Sequence, residues 1–229
     1  MSKIALVTGG NRGIGFEVCR QLGHLGFKVI MGARKVPDGK KAAEILKAEN
    51  LDVTFQPLDV QDEDQIGFIA AWMDMEFGAL DLLVNNAGIG VGNKGLVDAD
   101  LDEIRKIMEI NFYGPIKMSR MFIPLLKKSK GRIINVSSGM GAISDMGTGY
   151  AGYRLSKAGL NVQTMLLANE LEPYGVKVNS VCPGWVKTEM GGSSAPRDVS
   201  QGADTISWLA SEENIPNGKF FRDRKIIDW

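Results

Sequence analysis

One histidine, two cysteines and no surplus of either charge leave this 229-residue chain few routes to several common functions. With His24 alone, a multi-histidine zinc site is excluded and no metal is expected. A Ser-His-Asp triad would have to use His24, with no Gly-x-Ser-x-Gly turn to present the serine. Cys19 and Cys182 are too few for a disulfide framework and are expected as buried free thiols. Lys+Arg and Asp+Glu balance at 27 each, so no basic face or charged tail suggests nucleic acid. No apolar run exceeds strand length, which argues against a membrane span. Met-Ser-Lys leads into a short apolar run and a glycine turn rather than a secretory signal, and a cytoplasmic protein is expected.

What is present is an alternation of short apolar strands with helical periodicity. Strands are expected at residues 3–7, 28–33, 53–56, 80–84, 132–136 and 176–181, with a last one near 219–221. Helices are expected from the glycine turn to Leu25, over 39–49 behind an Asp38 cap, and over 62–77. A long one at 100–128 is interrupted or kinked by Gly114-Pro115, and another carries Tyr153 and runs to about 172. Strands separated by helices predict an α/β fold: one doubly wound parallel sheet covered on both faces. No linker or repeat divides the chain, so residues 1–229 are read as one domain with a loop at about 185–200.

The motifs fall just after strands, the edge where such sheets bind ligands. Gly9, Asn11, Arg12, Gly13, Ile14 and Gly15 form a turn between the first strand and the first helix. Glycines there let backbone N–H groups approach a pyrophosphate at the positive end of the helix. A site for NAD would place a carboxylate at the end of the second strand, where this chain has Ala33 followed by Arg34. Arg34 and Arg12 instead suit a 2′-phosphate, which predicts NADP(H). Tyr153 and Lys157 stand four residues apart, one turn along a common helix face. An ammonium near a phenol favours phenolate, so Lys157 is expected to lower the Tyr153 pKa.

Taken together, Thr8-Gly9-x-x-x-Gly13-x-Gly15, Asn85-Asn86-Ala87-Gly88, Asn111, Ser138, Tyr153-x-x-x-Lys157 and Pro183-Gly184 resemble the short-chain dehydrogenase/reductase family over nearly the whole chain. The segment Cys182-Pro183-Gly184-Trp185-Val186-Lys187-Thr188 and the ending Asp228-Trp229 are similar to its carbonyl reductases. The resemblance implies a Rossmann-like fold and a catalytic set of Asn111, Ser138, Tyr153 and Lys157. It places Asp59 and Val60 at the adenine, Asn86, Ala87 and Gly88 along the cofactor cleft, and Pro183, Val186 and Thr188 on the nicotinamide side. Read without it, Asp59 is a turn or capping residue and Thr188 a loop residue.

By the same resemblance Lys157 also reaches the nicotinamide ribose, and Asn111 holds a water that links Lys157 to solvent. Family position favours Ser138 over its neighbour Ser137, whose side chain must point the other way. Tyr150 is the competing phenol, but the residue four beyond it is Arg154.

The expected reaction is NADPH-dependent reduction of a ketone, aldehyde or quinone, with Tyr153 as general acid. Trp185, Met140, Met146 and Met190 are candidates for an apolar substrate wall. Alternatives are a 3-oxoacyl-thioester reductase of fatty-acid synthesis and a non-catalytic dinucleotide sensor. Animal monomeric carbonyl reductases carry a long insertion between serine and tyrosine that covers the association helices. Here a short loop joins Ser138 to Tyr153, which predicts a homodimer or homotetramer.

Overall fold

The computed structural model describes residues 2–90 and 92–229. The chain runs β1 (Ile4–Thr8), α1 (Gly13–His24), β2 (Lys28–Ala33), α2 (Val36–Ala48), β3 (Val53–Pro57), α3 (Glu63–Phe77) and β4 (Leu82–Asn85). It continues α4 (Leu101–Met108), α5 (Gly114–Ser129), β5 (Arg132–Val136), α6 (Ala151–Leu171), β6 (Lys177–Val181), α7 (Val199–Ser211), β7 (Phe220–Arg222) and β8 (Lys225–Ile227). Among the described residues these strands make one sheet in the order β3-β2-β1-β4-β5-β6-β7-β8. The first seven pair in parallel, and β8 closes the edge antiparallel to β7. The doubly wound Rossmann-like α/β fold expected from the sequence is the one observed.

Strand alternation explains the two layers. Ala5 and Val7, Val29 and Met31, and Leu82 and Val84 face a core shared with α1, α2 and α7. Leu6, Ile30, Leu83 and Ile133 face the opposite core, closed by α3, α5 and α6. A strand buried on both faces must be apolar at every position, which is why the period of two disappears into continuous runs. After β3 the chain crosses back to lay β4 beside β1. The winding reverses there, and the two strand ends splay to leave a crevice.

Three local expectations are corrected. Helix α2 begins at Val36 rather than behind Asp38, because Pro37 in the first turn costs no hydrogen bond and Asp38 lies one residue further in. The long helix is not broken at Gly114-Pro115. It widens into a π turn at Glu109–Tyr113 and then resumes as α5 with Pro115 in its first turn. Pro115 has no N–H to offer the carbonyl four residues back, and a wider turn accommodates that loss. Strand β8 was not expected. Its hairpin turns through Asp223 and Arg224, both at positive φ (52° and 58°), without the Asn-Gly or Asp-Gly pair that usually marks such a turn.

Candidate active site

The ends of β1, β4, β5 and β6 converge on a cleft of about 760 Å³. Its floor is the turn from Gly9 to Gly15, braced by β4. The Thr8 hydroxyl accepts from the Asn86 and Ala87 amides at 3.0 and 2.9 Å. Asn86 Nδ2 donates back to the Thr8 and Gly9 carbonyls at 2.9 and 3.2 Å. Gly9 holds a φ of +64°, and a Cβ on Gly15 would overlap the Gly9 carbonyl and the Asn86 amide. No side chain caps α1 and its first turn holds no acid, so its leading N–H groups are open to an anionic ligand.

Arg34 is exposed at the cleft edge with no ion pair to another described residue. Arg12 is paired with Glu189 from the loop opposite, so only one of the two expected guanidiniums is unengaged. Asp59 and Val60 line the cleft beside Leu58 and Gln61. The Asp59 carboxylate accepts from the Gln61 amide at 3.1 Å, as a turn residue would. Pro183 and Thr188 line the far side. Val186 does not reach the cleft. It is buried, and its methyls pack against Gly202 of α7.

At the inner end Tyr153, Lys157 and Ser138 meet. Ser137 rather than Ser138 is in contact with the cleft, but its hydroxyl is taken by the Lys157 carbonyl, to which it donates at 3.3 Å. The Ser138 hydroxyl accepts from the Met140 amide at 3.2 Å and stands beside the Tyr153 phenol, whose pKa it lowers. Lys157 Nζ donates to the Val136 carbonyl at 2.8 Å and lies 5.7 Å from the centre of the Tyr153 ring. Tyr150 stands half exposed before α6 at a φ of +52°. Arg154 serves the loop between serine and tyrosine, donating to the Gly149 carbonyl at 3.1 Å and more distantly to Thr148 and Met140.

Asn111 is fully buried in the π turn. Its amide donates to the Ile89 carbonyl at 2.8 Å and to Ser156 Oγ at 3.1 Å, while its oxygen accepts from the Ile89 amide at 2.8 Å. Gly88 separates it from Lys157: a Cβ there would stand 3.3 Å from Asn111 Oδ1 and 3.6 Å from Lys157 Nζ.

This arrangement agrees with a family model. The short chain dehydrogenase model matches residues 3–198. The chain belongs to that family.

It is similar to (+)-neomenthol dehydrogenase of Arabidopsis thaliana, at 32% identity over 99% of this chain and 98% of that protein. It is also similar to carbonyl reductase [NADPH] 1 of Sus scrofa, at 31% identity over 100% of this chain and 94% of the relative. That alignment runs over 275 positions against 229 residues here, so at least 46 positions of the relative have no counterpart. Among solved structures, NADPH-bound carbonyl reductase from chicken fatty liver superposes with a TM-score of 0.89. Its identity is 31%, over 100% of this chain and 99% of that one.

Short-chain dehydrogenases bind a nicotinamide dinucleotide, and the residues present fit one. The Gly15 close approach, the uncapped start of α1 and the unpaired Arg34 together form a cradle for a pyrophosphate and a further anion.

The electrostatics differ from the expectation. Burial pushes the Tyr153 phenol up to about 12; the Ser138 hydrogen bond pulls it down and Cys182 adds to the rise. Burial also pulls Lys157 down to about 8, against a smaller opposing effect of Cys182. Lys157 therefore does not bring Tyr153 below its ordinary value in this state. Desolvation is the largest influence on both groups.

Several site neighbours were not legible in the sequence. Lys187 and Glu189 line the cleft, whereas Met190, expected in the substrate wall, does pack on Gly90 next to the Tyr153 ring. All lie in an irregular segment with no periodicity to place them. Trp185 is half exposed, its indole N–H tied to the Gly191 carbonyl at 2.7 Å.

Proposed function

We propose that this protein is an NADPH-dependent carbonyl reductase that converts a smallish apolar ketone, aldehyde or quinone to the alcohol. The observation that carries the reading is the pair Tyr153 and buried Lys157, together in the wall of a glycine-floored cleft, with Ser138 beside the phenol. The resemblance to carbonyl reductases over the full chain supports it.

The turn from Gly9 to Gly15, with Asn11, Gly13 and Ile14, would hold the pyrophosphate, and Asp59 and Val60 the adenine, while Arg12 would join Arg34 at a 2′-phosphate only on leaving Glu189. Asn86, Ala87 and Gly88 would flank it, with Pro183 and Thr188 on the nicotinamide side. When bound, the reduced nicotinamide supplies hydride. The chain manages the oxygen. As negative charge grows there, the Ser138 hydroxyl and the Tyr153 phenol donate to it, and the Tyr153 proton passes to the new alkoxide. Lys157, held by the Val136 carbonyl, offers its remaining N–H groups toward a ribose and the phenol. Asn111 fixes Ile89 and Ser156, and so the wall behind Lys157; a water between them would return the proton. Met190 lines the cleft, and the exposed Trp185 and Met146 would add to an apolar, adaptable rim that favours apolar substrates. A panel of apolar ketones, aldehydes, quinones and a 3-oxoacyl thioester, each assayed for NADPH consumption, tests the reading. Turnover of the thioester alone would replace it.

Cofactor choice rests on Arg34, because β2 ends in Ala33 with no carboxylate. Wild-type kcat/KM should favour NADPH over NADH, and Arg34→Asp should shift the ratio toward NADH by about 10- to 100-fold, the worth of a charge-assisted hydrogen bond. Equal or better use of NADH by the wild type would contradict this assignment.

A homodimer or homotetramer is part of the reading. Leu155, Val162 and Leu166 form an exposed apolar stripe on α6, with Met165 beside it and Met121 exposed on α5. Light scattering at micromolar concentration should give twice or four times the chain mass, and Leu166→Glu should reduce it. A wild-type monomer would remove the proposal. A cytoplasmic location suits the two buried, unpaired thiols. Among the described residues no helix is long and apolar enough to cross a membrane.

A further inference from the structure

Three arginines serve the C-terminal segment, and one of them is used differently. Arg197 pairs with Asp223, and Arg224 with Asp204. Arg222, at the end of β7, forms no ion pair among the described residues. It donates instead to the buried sulfur of Cys182, from Nη2 at 3.0 Å and Nε at 3.3 Å. The Gly139 amide donates to the same sulfur at 3.0 Å. Three N–H groups thus converge on one atom, and that atom joins three segments. Gly139 follows Ser138, Cys182 precedes the Pro183-Gly184 turn, and Arg222 belongs to the terminal hairpin.

The space is shaped for this contact. A Cβ on Gly139 would overlap the Arg222 guanidinium. The hairpin is held against the same loop by the Ser144 amide, which donates to the Trp229 carbonyl at 2.9 Å, and by stacking of Trp229 on Phe220. Ser138 is held from its own turn: its hydroxyl accepts from the Met140 amide and its carbonyl from the Gly141 amide at 2.9 Å. Its backbone direction is therefore set by the turn at Gly139–Gly141, which the Cys182 sulfur anchors.

We infer that Arg222 is a positioning residue for Ser138, acting through the Cys182 sulfur and the Gly139 amide. Its fork supplies two donors to a weak acceptor, and the residual attraction of a guanidinium for a polarisable sulfur keeps the acceptor aimed at Gly139. Loss of the fork frees the sulfur to rotate and the serine loop to drift. Drift of a fraction of an ångström at an oxygen-binding hydroxyl is enough to lower turnover. This inference rests on the carbonyl reductase reading, and its tests are separable from it.

Arg222→Met should lower kcat about tenfold with the KM for NADPH nearly unchanged, and Arg222→Lys should recover part of the loss. In a Ser138→Ala background Arg222→Met should cost nothing further, because both changes remove the same alignment. A full tenfold loss in that background, or no loss in the wild-type background, would overturn the proposal. A second readout does not depend on turnover. Hydrogen exchange in the peptide spanning residues 137–145 should be faster in Arg222→Met, with the strands β1 and β4 unaffected. Unchanged exchange there overturns the proposal even if the protein reduces no carbonyl compound tried, whereas absence of wild-type turnover counts against the reading alone.

Discussion

Tyr153→Phe should lower kcat/KM for carbonyl reduction by about a thousandfold or more, while NADPH binding changes little. Two losses coincide at one atom. The proton donor disappears, worth about 10²–10⁴ in rate, and one of two hydrogen bonds to the developing oxyanion disappears with it, worth about 10²–10³. These overlap and do not multiply. The ring remains, so the packing against Gly90 and Met190 survives. Tyr150→Phe should be nearly silent, since Tyr150 is half exposed and Arg154 faces the loop carbonyls instead. Substantial reductase activity in Tyr153→Phe together with its loss in Tyr150→Phe would reverse the assignment. Because burial raises the Tyr153 phenol to about 12, reduction should hold across neutral pH and decline only as the phenol ionises in alkali. Alcohol oxidation needs phenolate and should rise over the same alkaline range.

Lys157→Met should be nearly as damaging, lowering kcat/KM by about a hundredfold or more while also weakening NADPH binding. The two effects separate it from Tyr153→Phe. Lys157 is buried and donates to the Val136 carbonyl, so its removal leaves that acceptor unpaired at the end of β5. Its depressed value of about 8 gives a signed expectation for the cofactor-free protein. The ammonium is present below about 8 and is progressively lost above it, so NADPH affinity should fall as pH rises through that value. In Lys157→Met this portion of the pH dependence should vanish. A variant with unchanged NADPH affinity at neutral pH would restrict Lys157 to the phenol and contradict its role at the ribose.

The parts of this molecule that were legible in the sequence share a physical property: each is local. The continuous apolar runs of β1, β2, β4 and β5 can only be strands buried on both faces. The glycines at 9, 13 and 15 and the Tyr153–Lys157 spacing are likewise short-range signals whose meaning depends on a few neighbouring residues. What escaped was set by tertiary contacts. Val186 looked like a cleft residue but is drawn into the packing under α7. Arg12 looked available for a phosphate, yet Glu189 meets it from a segment far along the chain. Burial, which no sequence spacing encodes, pushes the Tyr153 phenol up and the Lys157 ammonium down at once. Strand β8 turns through Asp223-Arg224, a pair with no glycine to announce positive φ. The convergence of the Gly139 amide and the Arg222 guanidinium on the Cys182 sulfur joins three segments and has no sequence signature.

Transfer of label tests the central claim most directly. NADPH carrying deuterium at the transferable position of its nicotinamide is incubated with the protein and an apolar ketone or quinone, and the product is examined by mass spectrometry. For a ketone the account predicts one alcohol per NADPH consumed, with the deuterium on the carbinol carbon, and no product with Tyr153→Phe. Tight NADPH binding without consumption or label transfer for any compound in the panel would contradict it.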